Sequence, residues 1–161
     1  MRILVVADSH GKNICIRDAV SKSGPFDMLL HAGDMETDVE NIKRLVNCPC
    51  YFVRGNCDYD FKLKKFEIIE VGEHKIYLTH GHMLSIDYGS DKLEYAALES
   101  GCDVAVCGHT HVPQLLERED ITVFNPGSIA KPRQHGRKKT FGIIETDKMG
   151  KLHFNIVELD D

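Results

Sequence analysis

The apolar residues of this chain come in short runs, each closed by polar residues and glycines. Arg2-Ile3-Leu4-Val5-Val6-Ala7 is rich in β-branched residues and does not alternate, which predicts a strand buried on both faces. Ile16, Ala19 and Val20 then recur at helical spacing, between a capping Asn13 and a terminating Gly24. Met28 to His31 reads as a second strand. Thr37-Asp38-Val39-Glu40 reads as a capping box ahead of a helix with Val39, Ile42, Leu45 and Val46 on one face. Residues 51–53 form a third strand. This alternation implies βαβ units and a parallel sheet. The pattern then changes. Residues 66–71 and 75–79 predict a hairpin around Gly72-Glu73-His74, and a helix capped by Asp91 with Glu94 ends at Gly101. Residues 103–107 are again a buried strand. Beyond Gln114 the chain is mostly strand, at 114–118, 121–124, 140–146 and 151–158, with a turn at Lys148-Met149-Gly150. A first part of α/β and a later part rich in β predict two packed sheets flanked by helices.

No internal repeat, low-complexity tract or linker rich in Gly and Ser divides the chain, so one domain over residues 1–161 is expected. No apolar run is long enough for a bilayer, and the first one stops at Asp8, too soon for a signal-peptide core. A cytoplasmic protein with no membrane partner is therefore expected. The net charge of −5 argues against extended nucleic-acid binding, which needs a basic face. It leaves room for a small phosphorylated substrate, because a bound metal supplies positive charge locally. Six cysteines in such a chain read as free thiols, with Cys15, Cys102 and Cys107 as small core residues. Cys48-Pro49-Cys50 lacks the spacing of a zinc site.

The strand ends carry the chemistry. They read Asp8-Ser9-His10, Gly33-Asp34, Gly55-Asn56-Cys57-Asp58, His80-Gly81-His82, Gly108-His109-Thr110-His111 and Asn125-Pro126-Gly127-Ser128. Ligands of open α/β sheets bind beyond the carboxyl ends of strands. Several imidazoles with carboxylates suit Mn, Fe, Ni or Zn better than Mg. If strand geometry continues, Asp8 and His10 share one face, as do His109 and His111. Neighbouring glycines allow sharp turns close to the ligands. With Asp34, Asn56 and His80 these pairs make a set too large for one tetrahedral ion. It suits two metals sharing a carboxylate, the clamp of roughly 3.5–4 Å used for phosphoester hydrolysis.

In this order, D-x-H, G-D, G-N-x-D, G-H and G-H-x-H resemble the calcineurin-like metallophosphoesterases, above all their small bacterial and archaeal phosphodiesterases. The series is also similar to the metallophosphoesterase-like subunit of retromer. The motifs run from Asp8 to His111, and Asn125-Pro126-Gly127-Ser128 fits the same branch. The resemblance implies a four-layer α/β/β/α sandwich with two mixed β-sheets flanked by helices. It implies one divalent transition metal on Asp8, His10, Asp34 and His111, and a second on Asp34, Asn56, His80 and His109. Mn is the first expectation for both, with Ni, Fe or Zn as alternatives. Asp34, Asn56, His80 and His109 are the expected catalytic core. The implied reaction is in-line attack of a metal-bridging hydroxide on a phosphodiester; a phosphomonoesterase or a non-catalytic, retromer-like scaffold are the competing readings. Small relatives often self-associate, so a homo-oligomer is a possible partner state. Asp58 is expected to orient His or Asn ligands. Cys57 stands where larger members carry a His proposed to protonate the leaving group, and a thiol with a pKa near 8.5 is a poor donor to an alkoxide.

Other residues are open to two readings. His82 touches either substrate or a metal-bound oxygen, or simply hydrogen-bonds to a carbonyl. His31 reads as a core residue or a support for the ligands, and His74 and His153 as structural or solvent-facing. Asn125 and Ser128 lie in a turn that can brace the site. The basic run Lys131 to Lys139 is either a solvated loop or a holder of substrate phosphate. Lys62-Leu63-Lys64-Lys65 reads as surface. With no Walker loop, GxGxxG or GxSxG, nucleotide-triphosphatase, dinucleotide and serine-hydrolase readings lack support.

Overall fold

The computed structural model describes residues 1–160; the last residue of the expected 1–161 domain lies outside the described residues. The first sheet runs β10-β9-β1-β2-β3, built from β1 (Arg2–Val6), β2 (Met28–His31), β3 (Cys50–Phe52), β9 (Thr140–Thr146) and β10 (Leu152–Glu158). The second runs β4-β5-β6-β8-β7, built from β4 (Phe66–Val71), β5 (His74–Thr79), β6 (Val104–Val106), β7 (Gln114–Glu117) and β8 (Thr122–Asn125). Both sheets are mixed. β1, β2 and β3 are parallel, with β9 and then β10 added antiparallel. β5, β6 and β8 are parallel, with β4 and β7 antiparallel at the edges.

The unbroken apolar runs follow from this layering. Ile3, Val5 and Ala7 face the other sheet, packing with Leu30, Ile76, Leu78, Val106 and Phe124. Leu4 and Val6 point the opposite way, into a layer shared with α1 (Asn13–Ser23) and α2 (Val39–Lys43). On the far side of the second sheet, Tyr77, Ala105 and Val123 pack on Leu93 and Ala97 of α3 (Asp91–Glu99). These three apolar layers between four structural ones are the expected α/β/β/α sandwich. Truncating a fully buried side chain of the central layer, such as Leu30→Ala, costs about 2–5 kcal/mol. Among the described residues no helix is long and apolar enough to cross a membrane.

Local details differ from the sequence reading. All three helix caps shift by one residue. Lys12, not Asn13, precedes α1, because the chain enters it from a left-handed Gly11. Asp38, not Thr37, caps α2 by accepting from the Glu40 N–H. Ser90, not Asp91, precedes α3 and donates to the Glu94 carboxylate. His74 is in the strand rather than the turn, since it pairs with Val71 across a tight Gly72-Glu73 connection. Two short 3₁₀ turns, His82–Leu84 and Ile86–Tyr88, follow β5 without a signal in the apolar pattern.

Candidate metal centre

Six parallel strands, three from each sheet, run into the candidate residues. β1 leads to Asp8 and His10, β2 to Asp34, β3 to Asn56, β5 to His80, β6 to His109 and His111, and β8 ends in Asn125. Strand geometry does not continue into these loops, as the spacing argument assumed. Asp8, His10, Asp34, His109 and His111 all have positive φ, from 44° to 68°. Left-handed backbone is uncommon for non-glycine residues and costs about 1–3 kcal/mol at a site, so its repetition at five candidate ligands marks built-in strain. Left-handed turns, not a shared strand face, aim the side chains. Gly55 acts by close approach: a Cβ there would sit 2.0 Å from Asp34 Oδ1.

Asp8, His10, Asp34 and His111 offer ligand atoms that all lie within 4.8 Å of one another. His111 donates from Nδ1 to the Lys131 carbonyl at 2.6 Å, which turns Nε2 inward, 3.3 Å from Asp8 Oδ1. His10 Nδ1 is held by Glu36 at 3.0 Å, and its Nε2 faces His111 Nε2 at 3.3 Å. Anchoring at Nδ1 leaves the Nε2 lone pair for a cation, the usual support of a metal-binding imidazole. Asp8 Oδ2 is buried and makes no hydrogen bond. A bare buried carboxylate oxygen is costly unless a cation faces it. The donors therefore fit a divalent metal.

The neighbouring group is looser. His80 donates from Nδ1 to the Ala32 carbonyl at 2.7 Å and turns Nε2 toward Asn56 Oδ1 at 3.1 Å and Asp34 Oδ1 at 3.5 Å. Burial pushes the His80 imidazole down, but the carboxylates of Asp34 and Asp8 outweigh it and hold its pKa above the ordinary value. Burial likewise raises Asp34, yet the His80 ring and the Cys57 N–H bring it well below the usual carboxylate range. His109 stands apart. Its Nε2 meets Asp87 at 2.9 Å, and its ring lies 5.1 Å from that of His80. With Nε2 held, Nδ1 is the nitrogen left for a metal. Among the described residues His109 joins no tight cluster.

The sequence matches the calcineurin-like phosphoesterase superfamily domain over residues 1–149. This chain belongs to that superfamily. A probable metallophosphoesterase of Bacillus subtilis, YsnB, is 30% identical over 145 residues, 89% of this chain and 83% of its own length. The Escherichia coli phosphodiesterase YfcE is 35% identical over 111 residues, 64% of this chain and 56% of its own. Among solved structures, a conserved uncharacterized protein of Streptococcus pneumoniae superposes with a TM-score of 0.80 at 27% identity, covering 98% of this chain and 97% of its own. Vps29 of Entamoeba histolytica, complexed with Zn²⁺, gives 0.76 at 21% identity, covering 99% and 100%, a likeness of fold alone.

Within this member of the superfamily several of the remaining candidates brace the site. Asp58 was expected to orient His or Asn side chains; it instead accepts four backbone N–H groups, from Asp34, Met35, Glu36 and Gly55, at 2.7–2.9 Å. A carboxylate saturates backbone donors well, and here it locks the Asp34 loop to the Asn56 loop. Asn125 donates to the Gly108 carbonyl and to Thr110, holding the loop of His109 and His111. Ser128 donates to the Asp8 carbonyl. His31 is fully buried, with Nε2 on Ser9 and Nδ1 accepting from the Gly33 N–H. Desolvation lowers its pKa to about 4. His82 is half-buried, its ring 5.2 Å from His80, and its Nδ1 is buried without a partner. Cys57 lies beside Asn56, and burial with the nearby Asp34 and Glu36 pushes its thiol up to about 12. His74 and His153 make structural contacts, to Asp103 and Asp147. Glu36 and Asp87 were not anticipated from sequence. Glu36, two residues after Asp34 and itself left-handed, carried a faint local cue; Asp87 carried none.

Two cavities flank the centre. One, of about 570 Å³, is lined by Glu36, Asn56, Cys57, Tyr59, Phe61 and His82, with Arg54 stacked 5.0 Å over Phe61. The other, of about 650 Å³, opens on His111 and the basic loop.

Proposed function

We propose that this chain is a divalent-metal-dependent phosphodiesterase acting on a small phosphoester. The observation that supports this most is the placement of Asp34. Its Oδ2 faces His10 at 4.0 Å and its Oδ1 faces His80 at 3.5 Å, so one carboxylate stands between two imidazole groups. Asp8, His10, Asp34 and His111 would hold one cation, and Asp34, Asn56, His80 and His109 the other. Such a pair acidifies the attacking water and offsets charge on the phosphoryl oxygens. The mixed imidazole, carboxylate and amide donors suit Mn first, with Ni, Fe or Zn as alternatives.

The chain's own residues supply position. Hydrogen bonds at Nδ1 fix the His10, His80 and His111 rings, so that little reorganisation remains when substrate arrives for in-line attack. His82, whose pKa is lowered by burial and by the nearby His80 and His109, lines the cavity beside Asn56, where its ring can contact substrate. The Cys57 thiol, pushed up to about 12, lies far above the pKa range in which a general acid is effective near neutral pH, which favours leaving groups that depart as stable anions. The E. coli relative named a phosphodiesterase supports a diester over a monoester. A complete donor set argues against the scaffold reading.

The test is hydrolysis of an aryl phosphodiester with added Mn²⁺, expected to stop with a chelator. His109→Ala and Asn56→Ala should each lose most activity with unchanged melting behaviour. A faster rate on the aryl monoester would instead make this a phosphomonoesterase, and no turnover with any common divalent metal would restore the scaffold reading.

A further inference from the structure

The 650 Å³ cavity is lined by His111, Lys131, Pro132, Arg133, Arg137 and Lys139. Four cationic side chains and no carboxylate line a cavity of the size that holds a small ligand. The chain as a whole carries a net charge of −5, so this concentration is not a sample of its average surface. Lys131, Arg133, Arg137 and Lys139 make no ion pair among the described residues. Like charges drawn together repel one another, and an entering anion relieves that repulsion.

The cavity is also fixed to the metal centre. The Lys131 carbonyl accepts from His111 Nδ1, the Arg133 N–H donates to the His111 carbonyl at 3.1 Å, and the Lys131 N–H donates to Ser128 Oγ, which itself bonds Asp8. The loop turns back through a left-handed Arg137, whose N–H donates to the Gln134 carbonyl. The loop that carries the cations is thus tied to one candidate ligand by two hydrogen bonds. A phosphodiester has a single negative charge at its reacting phosphorus, and the metal centre is the place for it. Four further cations have no work to do on that charge.

We infer that the 131–139 loop is a second anion site, and that the substrate is a phosphodiester whose retained half carries an additional phosphate. Assignment of the site to substrate rests on the phosphodiesterase reading; the anion preference rests on the loop alone. Guanidinium groups match phosphate oxygens in a fork, so Arg133 and Arg137 are the expected principal contacts. The charge is confined to one concave loop on an acidic protein, which suits a terminal phosphate rather than a long polyanion.

The test uses one reacting ester with and without the second charge: thymidine 5′-(4-nitrophenyl phosphate), and the same compound carrying a 3′-phosphate. The expected result is a KM at least about tenfold lower for the 3′-phosphorylated ester at low salt, with kcat within about threefold, as uniform binding requires. In Arg133→Gln/Arg137→Gln the KM ratio should fall toward one, and Lys139→Gln should lower it in part. A second readout needs no turnover. Metal-free protein titrated with thymidine 3′,5′-bisphosphate and with thymidine 5′-monophosphate should prefer the bisphosphate by a similar factor, and lose that preference in the double variant. Equal KM values together with equal affinities overturn the inference while leaving the phosphodiesterase intact. So does a preference that survives the double variant. No turnover of either ester, with the binding preference present and lost in the variant, overturns the phosphodiesterase reading and leaves the anion site standing.

Discussion

Asp8, His10, Asp34 and His111 already face one another, with ligand atoms within 4.8 Å, whereas His109, on the other side of Asp34, is held by Asp87 and joins no such cluster. The loops explain the difference. The Asp8 and Asp34 loops are zipped together by backbone bonds from Asp8, His10 and Gly11 to Gly33, Asp34 and Met35. Asp58 and Ser128 then brace them from behind. His109 depends on a half-exposed Asp87 in a short 3₁₀ turn. One half of the centre is settled when the protein folds, whereas in the other the His109 ring is steadied by a surface carboxylate. The expectation is a tight metal on the His10 side and a weaker, exchangeable one on the His109 side.

The largest effect should come from removing what the halves share. Asp34→Asn is expected to weaken both metals by at least about a hundredfold, the upper end of what supporting residues alone contribute. Metal analysis after dialysis checks this, and retention of one ion at full strength would end the shared-carboxylate assignment.

The next prediction probes the frame behind the tight half. His31 is neutral in the fold, its pKa lowered from 6.5 to about 4. Between those values the unfolded chain binds the extra proton, so stability falls as pH drops through 6.5 and the full loss is reached near pH 4. The shift corresponds to about 3 kcal/mol. Denaturant unfolding of the metal-free protein at pH 7 and pH 4 should show this loss in wild type and a loss smaller by about that amount in His31→Gln; parallel losses would count against it.

Asp87→Ala should separate the halves. The weaker metal should lose about tenfold in affinity and the tighter one remain unchanged, as expected for loss of a carboxylate behind one imidazole. Calorimetric titration with Mn²⁺ resolves the two sites, and an equal loss at both would mean the halves are not independent. The smallest effect is at Cys57. Cys57→Ser should change rates on aryl and alkyl diesters alike by less than about threefold, whereas a lost general acid would cost about a hundredfold or more on the alkyl ester.

The sequence carried the strand ends because each is punctuated by glycine beside Asp, Asn or His, and a buried parallel strand has few ways to end. The layers were legible for the same reason: Ile3 and Leu4 are both apolar because they face different layers. The support behind the ligands was less visible. Asp58 could be placed near the site, but not on backbone N–H groups 22 to 24 residues away. Asp87 meets His109 only because two 3₁₀ turns with no apolar signature bring it there. Left-handed backbone at Asp8 or His111 is equally invisible in a pattern that reports burial and not dihedral angle. Helix caps slipped by one residue because Thr37 and Asp38, or Ser90 and Asp91, are adjacent and chemically able to do the same job.

β1 lies between β2, made a few residues later, and β9, which begins only at Thr140. During synthesis, then, β1 waits for the much later β9 before its second edge is closed. Asp8 and His10 are translated early but meet His111 only after a separation of about one hundred residues, and the Ser128 brace comes later still. Such long-range closure is slow compared with local helix formation. Asp8, His10, Asp34 and His111 therefore come together late, and a metal held by them would be captured after that closure rather than guiding it. A truncated chain lacking β9 and β10 would expose the unpaired edge of β1, a strand of continuous apolar residues, which is the feature that promotes edge-to-edge association.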